Sequence, residues 1–128
     1  DKACELAKLT GAALAVLTVF RHHAMLEASI SMVRGTSAPG GNLDEAMKGT
    51  ARDTADHAKG RAQEAGVKKV QAYIKSGPPA RTIGALAREQ GADLIVDGSR
   101  GLGSAEGFLL GSVSHKVTGL AECPVLVV

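Results

Sequence analysis

The sequence predicts an α/β fold with an open, mostly parallel sheet covered by helices on both faces. Three observations carry that expectation. Apolar, partly β-branched runs (AALAVLTVF, VKKVQAYI, DLIV, PVLVV) alternate with segments of helical periodicity along the whole chain. Glycines stand where three of the helices should stop, at Gly11, Gly66 and Gly91. The chain has 128 residues, 45% of them hydrophobic and 22% charged, the balance of one globular domain with one core over residues 1–128.

The elements follow in order. DKACELAKLT puts Ala3, Leu6 and Ala7 on one helical face with Cys4 beside them, and Gly11 ends that helix. A helix this short needs a sheet to cover, so a further strand is expected ahead of Asp1. Residues 12–20 read as a buried strand. AMLEASISMVR suits a short helix and GTSAPGGN a loop. Asn42 reads as an N-cap, with Glu45 completing a capping box for a helix over 43–65. Its apolar stripe is expected to be Leu43, Met47, Ala51, Thr54, Ala58, Ala62 and Ala65. A strand over 67–75 follows, then Pro78 and Pro79 at a helix entrance. That helix turns Ile83, Leu86 and Ala87 inward and stops at Gly91. Residues 93–96 form the next strand, SVSHKVTGLA the last helix, and CPVLVV the closing strand. With the expected first strand the order is βαβαβαβαβ, a five-stranded sheet.

Composition excludes several function classes. Phe20, Tyr73 and Phe108 are the only aromatic residues, too few rings to stack single-stranded nucleic acid. The formal charge of +2 comes from interleaved acids and bases, with no basic run to track a phosphate backbone. No apolar run approaches the roughly 20 residues that span a bilayer. Cys4 and Cys123 are far apart in sequence, which fits two idle thiols in a reducing cytoplasm better than a disulfide framework.

The stretch DGSRGLGSAEGFLLGS, residues 97–112, carries five glycines directly after the run ADLIV. In open α/β sheets ligands sit beyond the carboxyl ends of strands. Gly98, Gly101 and Gly111 would let main chain approach a ligand with no Cβ in the way. A helix starting near Ser112 would aim unpaired amides and its positive dipole end at the same place, which suits phosphate. Ser99 and Ser112 offer hydroxyls, and Arg100 a cation. A P-loop is excluded, because its Lys is replaced by Ser112–Val113. A dinucleotide fingerprint over Gly101–Gly107 lacks the continuing βαβ unit it needs. A crossover loop without a ligand stays open on glycine content alone.

The spacing Gly98-Ser-Arg-Gly101, nine residues, Gly111-Ser112 resembles the G-2x-G-9x-G-[S/T] signature of the universal stress protein family. ADLIVDGSRGLG, FLLGSVSHKV and CPVLVV look like that family's C-terminal half, and GPPARTIGALAREQGA extends the likeness more loosely over the chain. The resemblance implies a Rossmann-like domain of the adenine nucleotide alpha hydrolase type, and a cytoplasmic regulatory protein of the stress response. It implies ATP, with or without Mg²⁺, held by Gly98, Ser99, Arg100, Gly101, Gly111, Ser112 and Val113, with Val19 near the adenine. It also implies a homodimer paired through Val125–Val128. Two other classes stay in view: a slow ATPase or autophosphorylating enzyme, and an interaction module of this family that binds no nucleotide. Three departures bear on the choice. Asp97 stands where relatives are usually apolar, and Glu106 where they often carry a base. The acid that closes the family's first strand has no counterpart here.

The remaining candidates have plainer readings. His22 and His23 fall at a strand end, but adjacent extended residues point to opposite sides. His57 reads as a surface residue and His115 as part of the last helix's first turn. No triad order or metal-ligand spacing accompanies them. Met25, Leu26 and Met32 read as core or interface filling.

Overall fold

The computed structural model describes residues 1–20, 41–98 and 111–128. The element order is α1 (Lys2–Thr10), β1 (Leu14–Phe20), α2 (Gly41–Glu64), β2 (Val70–Ser76), α3 (Pro79–Gln90), β3 (Ile95–Asp97), α4 (Ser112–Leu120) and β4 (Val125–Val127). Helices and strands alternate as expected. The short helix and loop expected within 21–40 lie outside the described residues.

Each helix has a local reason for its ends. Asp1 caps α1, its carboxylate accepting the Ala3 amide at 3.0 Å. Pro78 sits extended at the N-cap of α3 and Pro79 occupies the first helical position, where the missing N–H costs nothing. Gly91 closes α3 at φ 60°, a left-handed turn that favours glycine. Gly77, at φ 135°, ends β2, and an added Cβ there would lie 2.9 Å from Thr82 Oγ1. Helix α2 begins at Gly41, so Asn42 lies inside it and is not its N-cap.

The stripe on α2 also differs from expectation. Ala51, Ala55 and Ala62 are the buried positions, while Thr54 and Ala65 are exposed. Residues 51, 55 and 62 are separated by four and seven, the spacing that keeps one face toward a sheet. Thr54 turns outward and its hydroxyl donates to the Thr50 carbonyl at 3.0 Å. Alanine has no bulk to hold the backbone off, so α2 packs closely on both β1 and β2.

Strands β1 and β2 pair in parallel from Leu14↔Val70 to Phe20↔Ser76. Strands β3 and β4 pair in parallel from Ile95↔Val125 to Asp97↔Val127. Among the described residues these two ladders are not hydrogen-bonded to each other. The parallel α/β class therefore holds, but the described strands do not form one five-stranded sheet. Strand bounds shift too: β2 starts at Val70 because Val67 and its two lysines still belong to the approach from α2, and β3 includes Asp97.

Two aliphatic clusters make the core. Cys4, Ala7, Ala62, Val67 and Val70 bury together, with Leu14 and Val16 packed against them. Ala80, Ile95 and Val117 form the other, flanked by Ile83, Ala87, Val113, Ala121, Cys123 and Val125. Helix α3 links the two halves, since it packs on α4 and also on β1. Both cysteines are free thiols. Among the described residues no helix is long and apolar enough to cross a membrane.

The second cluster yields a stability prediction. Val117 is 1% exposed and seals α4 over β3. Val117→Ala should cost about 2–3 kcal/mol through lost burial and a residual cavity. Denaturant unfolding should show a lower midpoint with an unchanged slope.

Candidate functional site

Strand β3 brings Asp97 to its carboxyl end, where the Asp97 carbonyl accepts the Val128 amide at 2.9 Å. Gly98 follows, exposed, and its carbonyl accepts the hydroxyl of Ser114 from the first turn of α4. This hydrogen bond spans sixteen sequence positions and draws the end of β3 against the start of α4. Ser114 itself is 2% exposed.

The start of α4 is unusually bare. Gly111 is its N-cap, and no side chain among the described residues caps the helix. The first intrahelical bond runs from the His115 amide to the Gly111 carbonyl at 2.9 Å. The amides of Ser112, Val113 and Ser114 precede it, so they have no partner within the helix. Together with the helix dipole they make a set of donors suited to an anion. Gly111 has φ −60°, a value that any residue adopts. Backbone conformation therefore does not require glycine there. What glycine does supply is clearance in front of the amides, and no side chain that could satisfy them.

One group opposes an anion. The Oδ2 atom of Asp97 is sealed from solvent and has no hydrogen-bond partner among the described residues. A carboxylate beside a helix N-terminus is drawn to the dipole. It also repels any second anion at short range.

The structure thus brings Gly98, Gly111, Ser112 and Val113 to one place, the junction of β3 and α4. Val113 is half-buried with its side chain against the Ala80–Ile95–Val117 cluster, which leaves its main chain as the part available to a ligand. Val19 is half-buried near the end of β1, level with Lys75 in the other ladder, and no described hydrogen bond joins it to this junction. Ser99, Arg100, Gly101 and Glu106 lie outside the described residues, as do His22 and His23. His57 and His115 are exposed. Among the described residues no three His, Cys, Asp or Glu side chains gather as a metal site.

Ser114 was not marked by the sequence reading. The available signal was its spacing: it lies three residues before Val117, a small polar residue on the apolar face of α4. Such a residue needs an internal partner, and the Gly98 carbonyl is that partner.

Comparison with known proteins bears on the family and the fold. The model of the universal stress protein family matches residues 1–128. Universal stress protein YxiE of Bacillus subtilis is 37% identical over 131 residues, covering 100% of this chain and 86% of that protein. Universal stress protein UspA from Lactobacillus plantarum superposes with a TM-score of 0.79 at 24% identity, covering 99% of this chain and 84% of that one. A universal stress protein in complex with cAMP superposes with a TM-score of 0.60 at 28% identity, covering 99% and 81%. With its glycine spacing, its alternating parallel architecture and a family match over its full length, the chain belongs to the universal stress protein family.

Proposed function

We propose that this universal stress protein is a cytoplasmic regulatory protein that binds an adenine nucleotide, ATP, with its phosphates on the first turn of α4 and the Gly98 end of β3. One observation carries the reading. The amides of Ser112, Val113 and Ser114 open onto a glycine whose backbone angles do not call for glycine. Gly98, Ser99, Arg100 and Gly101 supply the other wall under the family signature, and Val19 the adenine side. The neighbour solved with cAMP supports an adenine ligand for this fold.

One departure from the family pattern shapes the reading. Asp97 places negative charge at the phosphate end, which a divalent cation would offset. Mg²⁺ commonly takes one or two carboxylates together with substrate phosphates. Asp97 is the described side chain suited to share it, and the cation would supply charge neutralisation of the triphosphate. A family member that binds no nucleotide is the competing reading, and the same Asp97 favours it.

The outer edge of β4 is the proposed dimer seam. Strand β4 pairs with β3 on one side, while Leu126 and Val128 remain exposed. A short apolar edge of this kind templates pairing with a second copy.

Nucleotide binding is tested by denaturing the purified full-length protein, assaying the supernatant for adenine nucleotide, and titrating Mg-ATP calorimetrically. Gly111→Val adds a branched side chain in front of the amides at a φ that valine tolerates, so the variant should fold. It should lose at least tenfold in ATP affinity; unchanged affinity would remove the phosphates from this turn. Absence of nucleotide and of binding heat in the wild type would leave the competing reading.

Asp97→Asn should narrow the gap between ATP affinities measured with and without Mg²⁺ by about fivefold, the scale of one screened charge pair. An unaltered ratio excludes Asp97 from the phosphate site. For the seam, Leu126→Lys should convert a dimer to a monomer in sedimentation velocity, whereas a persistent dimer places the interface elsewhere.

A further inference from the structure

We infer that Ser114 is a positioning residue for the phosphate site, a clamp that sets the two walls of the anion seat before any ligand arrives. The inference rests on the nucleotide-binding reading and assigns it a residue outside the family signature as quoted above. Three facts point to it. Ser114 is the one polar residue among the buried positions described. Its hydroxyl donates to the Gly98 carbonyl, and Gly98 and Ser114 lie at opposite ends of the glycine-rich stretch. Its backbone belongs to the first turn of α4, whose amides precede the helix's first internal hydrogen bond.

The geometry separates two tasks within one turn. The amides of Ser112, Val113 and Ser114 are left for a ligand, while the Ser114 side chain turns inward to hold β3. The Gly98 carbonyl is a lone-pair donor that would otherwise be free to face the seat and repel phosphate. Committing it to the hydroxyl directs that lone pair toward α4. The clamp also keeps the β3 end from drifting relative to α4, so less order has to be imposed when phosphate binds.

The adjoining contacts make the clamp local. The Asp97 carbonyl already accepts the Val128 amide, and the His115 amide already donates to Gly111. The residues on either side of the clamp are therefore tied into β4 and α4. The Ser114–Gly98 bond is the cross-link between these two tied segments.

The test compares wild type and Ser114→Ala in the full-length protein. Alanine is smaller and a good helix former, so the variant keeps its fold. The decisive reading is the ratio of ATP to adenosine affinity by calorimetry, since adenosine makes no phosphate contact. The clamp predicts that Ser114→Ala weakens ATP about tenfold and leaves adenosine within twofold, while a merely structural role would weaken both alike. Equal losses, or no loss for either, overturn the proposal. A second measurement is independent of nucleotide. Amide exchange in the ligand-free protein should quicken at His115 and Val128 at least fivefold in the variant, with the β1–β2 ladder unchanged. Unchanged exchange at those two amides overturns the clamp even if ATP binds. A wild type that binds neither ATP nor adenosine, yet shows the exchange change in the variant, would sustain the cross-link and overturn its role in phosphate binding.

Discussion

Val117 is the largest side chain sealed to below 2% exposure among the described residues, and it sits where α4 meets Ile95 of β3 and Ala80 of α3. Everything proposed about function depends on that meeting. A helix N-terminus is useful to a ligand only if it is aimed, and aim is set by packing further along the helix. Val117 and Val113 face the same cluster one turn apart, so the first turn of α4 cannot rotate without unpacking both. Ala121 extends the same contact beyond the helix, and the polypeptide then turns directly into β4. The strand and the helix that flank the site are thus neighbours through an aliphatic core built without a single aromatic ring.

On that base the site is a balance of opposing charges. In the proposed phosphate site, three amides with no partner among the described residues and a helix dipole would favour an anion by increments of about 0.3–1 kcal/mol each when exposed to solvent. A carboxylate such as Asp97 would oppose it, since two like unit charges about 4 Å apart repel by about 1 kcal/mol in water and by several times that in a drier setting. Neither side wins by default. A bare phosphate gains little where Asp97 remains uncompensated, and a phosphate carrying a divalent cation gains from both. The sealed Oδ2 of Asp97 makes this more than a surface effect, because an atom shielded from water is poorly screened.

The fold was legible because its signals are local and repeated. Gly91 and the Pro78–Pro79 pair each dictate a backbone choice that packing then respects. The stripe on α2 was misread at Thr54 because a β-branched residue at helical spacing looks apolar in pattern; its hydroxyl instead back-bonds to Thr50 and turns the residue outward. Among the described residues β1–β2 and β3–β4 pair as two parallel ladders, and the alternation of apolar runs does not by itself say which strands are neighbours. That Gly98, Gly111 and Ser112 meet at one junction was readable from the strand–loop–helix order around them, since the end of β3 and the start of α4 flank the glycine-rich stretch. Ser114 was half-legible: a serine on the apolar face of α4 calls for an internal partner, but that the partner is a carbonyl sixteen positions away follows only from the fold.

The three helix starts whose side chains are described show how deliberate the open turn of α4 is. Helix α1 spends an aspartate on its first amides, Asp1 accepting from Ala3. Helix α3 removes one donor altogether by placing Pro79 at its first position. Helix α4 does neither, and begins with glycine. Glycine at an N-cap costs only a few tenths of a kcal/mol relative to the best caps, whereas alanine costs about 1 kcal/mol. The sequence therefore keeps α4 nearly as stable as a capped helix while no described side chain occupies its first amides. A serine or aspartate at position 111 would stabilise the helix slightly and occupy the very amides that an anion needs. A helix start that forgoes even that small gain, beside a strand end held by a buried hydroxyl, is the arrangement on which the proposed phosphate site rests.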